Sequence, residues 1–321
     1  MMNYKEFKAV ILEQLGRELK ISKPKAEIKL SKMIKNNDVT LEAINLADER
    51  SAMPTIYLND LYEGYQNGTS IKELIEMVIG ADKSFTFSSE FDLDKIMEWN
   101  YIKDKLIFKI GGEKSNQNIK NNSPTRRKNN MLISYHVTIT TSDGQRGTCR
   151  ITNELMDNIG VNENQLFEAA SINTPRIFPV HFSAMEALRD EMIGNNGAVK
   201  AKKMDLKHQL MDIDIKEPLF VLTNDYGIEG ASTICYPEVL RDIADKFGEN
   251  LFILPSSIHE VILVPESRKI PIENLRKMVV SINATQVKIR EKLTDDVYVF
   301  DKERGQLFSA DEWAVNERRM S

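Results

Sequence analysis

The chain has 321 residues, of which 41% are hydrophobic and 28% charged, enough to bury one large core or two ordinary ones. Forty-three lysines and arginines against 48 acidic residues leave a net charge of −5, so nothing draws the whole molecule to nucleic acid or to an anionic membrane, and any basic site must be local. No apolar run approaches the roughly 20 residues of a membrane-spanning helix, and Cys149 and Cys235 are too few for a disulfide framework, so a soluble cytoplasmic protein is expected.

In the first twenty residues Phe7, Val10, Ile11, Leu15 and Leu19 recur at three-to-four spacing, which predicts an amphipathic helix. Charges run through its apolar stretch and no small-residue cleavage site follows, so it does not read as a signal peptide. Ser22-Lys23-Pro24 should stop it. The segments 26–34 and 39–47 then flank Asn36-Asn37-Asp38, residues that tolerate the positive φ of a tight turn, and predict a β-hairpin. Residues 54–58 suggest a third strand, after which Asn59 or Asp60 could cap a short helix ending near Asn67-Gly68. Ser70, with Glu73 in the capping-box position, opens a helix that buries Ile71, Leu74, Ile75 and Val78 and is expected to stop at Gly80.

Composition shifts toward Asn, Ser, Lys and Arg after Ile110. Residues 111–130 are therefore expected to be a basic, Asn-rich linker or a short helix between an N-terminal domain (1–110) and a C-terminal domain (131–321). Alternating residues around Asp143-Gly144 predict a hairpin. A three-residue loop, Asp143-Gly144-Gln145, would pair Val137 with Ile151 and Ile139 with Cys149, keeping apolar side chains together better than a two-residue loop does. Helical patterns follow at about 153–172 and 183–192, and 193–216 has no consistent period and is expected to be a mobile insertion. From Leu219 the order reads ββαββα: LFVLTN, GASTICY, a helix through VLRDIADKFG, NLFILP, HEVILVP and a helix through IENLRKMVVSIN. Short connections favour antiparallel pairing, so the fold class expected is α+β, with mixed or largely antiparallel sheets and packed helices.

Several motifs together resemble a known family: Pro54-Thr55-Ile56-Tyr57-Leu58 followed by Tyr62, Asn173-Thr174-Pro175, VLTN and GAS within 221–232, and above all PSSIHEVILVPES at 255–267. They are similar to an uncharacterised clostridial family known as a domain of unknown function. The likeness runs from Tyr4 to Asp301 and is most specific in the PSSIHEVILVPE block. It implies a bacterial, cytoplasmic protein and transfers no catalytic residue. The chain departs from the family pattern between Gly111 and Asn130, where the family tends to a helical segment, so a short helix through GEKSNQNIK is the alternative there.

The sharpest chemical constellation is Ser256, Ser257, His259 and Glu260, a hydroxyl pair, an imidazole and a carboxylate within five residues, which suggests a hydrolase or transferase cleft. No G-x-S-x-G elbow is present, and in an extended strand His259 and Glu260 would point to opposite faces, so a structural Pro-Ser-Ser turn is the favoured reading. His259-Glu260 is also half of a zinc-protease helix, but Leu263 stands where the second histidine belongs. His136, His181 and His208 are scattered, Gly111-Gly112 lacks the rest of a nucleotide loop, and Asp143, Asp157, Asp212 and Asp214 have no calcium-loop spacing, so no metal or cofactor is expected. Eight cations between 103 and 130 face only Asp104 and Glu113, and Arg126, Arg127 and Lys128 are candidates for weak nucleic-acid binding. With no complete constellation in view, the expected role is a non-enzymatic interaction or regulatory protein with a protein partner and no membrane association, its binding surface on the C-terminal domain.

Overall fold

The structure is a computed structural model that describes residues 1–47, 55–84, 92–140, 146–194 and 204–320. It is α+β, with antiparallel sheets and packed helices. The chain divides into two compact units, one of residues 1–35, 39–96 and 139–148, the other of 36–38, 97–138 and 149–321.

The first unit opens with α1 (Tyr4–Ser22), held at its start by the reciprocal Asn3–Glu6 capping box, and the predicted stripe Phe7, Ile11, Leu15 and Leu19 is buried. β1 (Glu27–Ile34) and β2 (Thr40–Ala47) pair without interruption from Glu27↔Ala47 to Ile34↔Thr40, and positive φ at Asn37 and Asp38 makes the turn between them. β3 (Ile56–Tyr57) pairs with β2. α2 (Leu58–Gln66) starts without a side-chain cap, because Asn59 instead accepts the Glu42 amide at 3.0 Å. α3 (Ile71–Ser84) has the expected Ser70–Glu73 box. It runs on past Gly80, whose Cβ position meets open space and whose backbone stays helical, so this glycine does not act as a C-cap. Phe7, Ile11, Leu15, Ile44, Leu46, Leu58, Leu74 and Val78 form the core, and each such side chain contributes about 1.5–3 kcal/mol.

In the second unit α4 (Trp99–Ile102) leads into β4 (Leu106–Gly112), α5 (Gln117–Asn122), β5 (Thr125–Lys128) and β6 (Met131–Thr140), in the sheet order β4-β6-β5; the end of β6 from Ile139 and the start of β7 (Arg146–Arg150), which pairs with β6, are counted with the first unit. Residues 111–130 thus hold the end of a strand, a short helix and a second strand. The hairpin tip, 141–145, lies outside the described residues; at its base the Ile151 amide bonds the Tyr135 carbonyl (2.9 Å), two residues from the Val137 partner expected for a three-residue loop. The predicted 153–172 helix is divided at Gly160 (φ 76°) into α6 (Asn153–Ile159) and α7 (Glu163–Ile177). β8 (Val180–Ala184) and α8 (Met185–Gly194) follow. Within the aperiodic 193–216 segment lies α9 (Leu206–Asp212), capped by Asp205 and tied down by Gln209, which bonds the main chain of Phe182, Val180 and Met204. That contradicts a loose insertion over these residues; 195–203 lie outside the described set.

β9 (Phe220–Asn224), α10 (Val239–Phe247), β10 (Leu251–Leu254), β11 (Val261–Pro265) and α11 (Ile272–Thr285) match five of the six elements expected after Leu219. The sixth, GASTICY, is a 3-10 turn over Gly230–Cys235 and not a strand. Ser232 and Thr233 bond back to the Glu229 and Gly230 carbonyls, a local alternative to a sheet ladder. β12 (Tyr298–Asp301), β13 (Gln306–Ser309) and α12 (Ala310–Met320) complete the unit. The large sheet has the order β13-β12-β10-β11-β9-β8, so β10 and β11 are central, and Leu251, Ile253, Val261 and Val264 are fully buried.

Candidate functional site

The β10–β11 connection, 255–260, carries the sequence's sharpest candidates. Ser257 is buried, and its Oγ accepts the amides of His259 (2.9 Å) and Glu260 (3.3 Å) while donating to Glu260 Oε1 (2.8 Å). Every hydrogen-bonding capacity of that hydroxyl is used inside its own turn. Ser257 also forms a bridge with Lys292, and the Ile258 amide bonds the Glu291 carbonyl (2.8 Å), which clamps the connection from a second side. Ser256 is buried as well, and its side chain has no hydrogen-bond partner among the described residues.

His259 is clamped in the same way. Its Nδ1 accepts the Glu229 amide (3.2 Å), which assigns the neutral ring's proton to Nε2, and its carbonyl accepts Thr223 Oγ1 (2.7 Å) at the end of β9. Gly230 makes this approach possible. A Cβ there would stand 2.5 Å from the His259 carbonyl and 2.8 Å from the Asn224 amide nitrogen, and closer still to Thr223 Oγ1. Glu229 is held left-handed (φ 56°) beside it and reaches Lys109 Nζ at 3.1 Å from β4. The structure therefore joins Lys109, Glu229, His259, Ser257 and Glu260 into one chain of polar contacts, of which sequence spacing gave only the last three. A serine-to-imidazole hydrogen bond is not among those contacts: Ser257 donates to the Glu260 carboxylate, and the His259 ring is bonded by the Glu229 amide.

A Ser–His pair that sequence inspection missed lies on β6, where Ser134 Oγ and His136 sit 3.1 Å apart. Their i, i+2 spacing on a strand, which puts both on one face, was the available signal. Both are buried, on the sheet face that also carries Lys109, opposite Ser134 in register. His181 is fully buried 3.5 Å from Asp225, and His208 bonds its own helix cap, Asp205, at 2.7 Å in solvent. No cluster of three or more metal-ligating side chains occurs among the described residues.

The basic candidates are engaged by neighbouring acids. Arg126 grips Glu163 with two hydrogen bonds (3.0 and 2.7 Å), bonds Asn164 and stacks on Phe167 (3.8 Å), and Glu163 keeps its guanidinium firmly charged. Glu163 also takes the Tyr135 hydroxyl, and burial with that carboxylate pushes the phenol far above its usual range. Arg127 (3.1 Å) and Lys120 (2.6 Å) share Glu113, whose carboxyl they hold below the usual range, Lys120 foremost. Lys128 lies in a cavity of about 420 Å³ with Cys235, Arg241 and Gly305. Burial raises the Cys235 and Cys149 thiols, against a smaller opposing pull from Lys128 and Arg150 respectively.

A second cavity, about 480 Å³, is lined by Glu113, Lys114, Lys292, Asp295 and Asp296. Asn37 in its lining belongs to an asparagine knot. Asn36 and Asn37 donate to the main-chain carbonyls of 289, 290 and 292, and Asn116 bonds Asn36, the Asn37 amide and the Gly112 carbonyl. Neither a curated protein nor a solved structure matches the chain. Residues 4–302 match the Family of unknown function (DUF5688), and the chain belongs to that family.

Proposed function

We propose that the protein works by non-covalent binding, as an interaction or regulatory protein of the bacterial cytoplasm. The carrying observation is the saturation of Ser257. A Ser–His nucleophile needs its hydroxyl proton aimed at the imidazole, whereas this hydroxyl donates to Glu260 within its own turn and accepts two amides, and the His259 Nδ1 lone pair is taken by the Glu229 amide. The mixed-charge lining of the larger cavity suits a polar partner segment better than an apolar cofactor. Two thiols without a disulfide partner and the lack, among the described residues, of a helix long and apolar enough to cross a membrane support the compartment. The nucleic-acid alternative is weakened by the ion pairs of Arg126 and Arg127, which phosphate would have to displace.

A panel of ester, amide and phosphoester substrates, run on the wild type and on His259→Gln, tests the reading. No turnover above buffer is expected. Turnover that His259→Gln abolishes, in a variant that still melts at the wild-type temperature, would overturn it in favour of the hydrolase or transferase alternative at Ser256, Ser257 and His259.

A further inference from the structure

β1 is an edge strand of the β1-β2-β3 sheet, paired to β2 along its whole length and, among the described residues, to no strand on its other side. Natural edges of this kind are shortened, bulged, broken by proline or guarded by charged side chains, lysine above all, and of these devices β1 has the lysines. This one runs eight residues without a register break or a proline; Ile28 packs on the core, but Leu30 is 49% and Met33 39% exposed, on opposite faces, and Lys29, Ser31 and Lys32 beside them are exposed as well. It is also one-signed. In a chain of net charge −5, residues 20–35 contain Lys20, Lys23, Lys25, Lys29, Lys32 and Lys35 and only one acid, Glu27.

We propose that the Glu27–Met33 edge is a strand-addition site for an extended acidic segment of a partner protein, in which apolar residues alternate with Asp or Glu. This rests on the binding reading above and adds to it a second surface, on the first unit, with its partner's chemistry. Main-chain hydrogen bonds along the open edge supply the affinity, at about 3.4 Å of strand per residue, and Leu30 and Met33 supply apolar contacts on opposite faces. Lys29 and Lys32 supply the selectivity. They sit on opposite faces too, so whichever face carries the acids of an alternating incoming strand meets a lysine, while its apolar residues meet Leu30 or Met33 on the other face. The same charges oppose a second copy of β1, since two such lysine-rich segments would be brought side by side.

The probe is a synthetic peptide of about ten residues alternating valine with glutamate, compared with its valine–lysine counterpart. Binding to the full chain is read by fluorescence anisotropy at low and moderate salt, and the site by hydrogen–deuterium exchange. The expected result is binding of the acidic peptide only, weakened by salt, with amides of 27–33 newly protected and affinity reduced at least tenfold by Lys29→Gln/Lys32→Gln, exposed substitutions that put no second acid opposite Glu42 and should leave the melting temperature near wild type. Equal binding of both peptides, no binding at millimolar peptide, or self-association through 27–33 would overturn the proposal. Protection elsewhere would also overturn it while leaving the binding reading standing. Turnover in the substrate panel is the separate result that removes that reading.

Discussion

Ser256 and Ser257 are adjacent, buried and chemically identical, yet the structure assigns them unequal work, and their alanine variants should separate sharply. Ser257→Ala removes one donor and one acceptor that serves two amides, those of His259 and Glu260. Each lost hydrogen bond is worth about 1 kcal/mol, and an amide stranded in a buried turn costs about 1–3 kcal/mol more. Partial solvation of Glu260 softens the sum, and a net loss of about 2–4 kcal/mol is expected. Ser256→Ala deletes a hydroxyl with no partner among the described residues and should cost under about 1 kcal/mol. Urea unfolding monitored by far-ultraviolet circular dichroism measures both, provided the m-values agree. Equal losses, or a larger loss at Ser256, would refute the assignment of Ser257 as the turn's organiser.

Val261 is fully buried on a central strand opposite Leu222, so Val261→Asp should cost at least about 3 kcal/mol; a wild-type melting temperature would contradict the central placement of β11. Glu42 is held below its ordinary value by hydrogen bonds from Lys8 and Tyr4, so its contribution is present above the unfolded carboxylate pKa and disappears as pH falls through the folded value. Glu42→Gln should therefore destabilise by at most about 1 kcal/mol at pH 7, with the difference from wild type shrinking as pH falls below the unfolded carboxylate value, as read from paired melts. Burial raises both thiols, so labelling of Cys149 and Cys235 by a disulfide reagent at pH 7 should be far slower than that of free cysteine; fast labelling of either would contradict its environment. Replacing Arg126, Arg127 and Lys128 together by alanine should leave any salt dependence of oligonucleotide binding unchanged, against a drop of up to about 0.9 in slope for each true phosphate contact.

Much of the fold was legible where local chemistry and burial agree. The stripe of α1, the Ser70–Glu73 box and the two-sided apolar strands β10 and β11 each announce their element and its buried face. Legibility failed where distant contacts decide. Residues 230–235 have strand-like composition, but Gly230 must press against Thr223 and His259, and the hydroxyls of Ser232 and Thr233 close a turn on the main chain. The asparagines and cations of 111–130 resemble linker composition, yet Asn116 locks onto Asn36 and Asn37 and Arg126 onto Glu163, partners tens of residues away. At the candidate site, spacing brought Ser257, His259 and Glu260 into view but not their use, because Lys109 and Glu229 arrive from other elements.

On the proposed reading the Ser257–His259 turn is a scaffold and not a reactive centre. A fluorophosphonate probe, which forms a covalent bond only with a serine activated by a base, tests it directly when labelling is mapped by mass spectrometry. No modification of Ser256 or Ser257 is expected in the folded wild type. Stoichiometric modification of either serine, lost in His259→Gln, would contradict it.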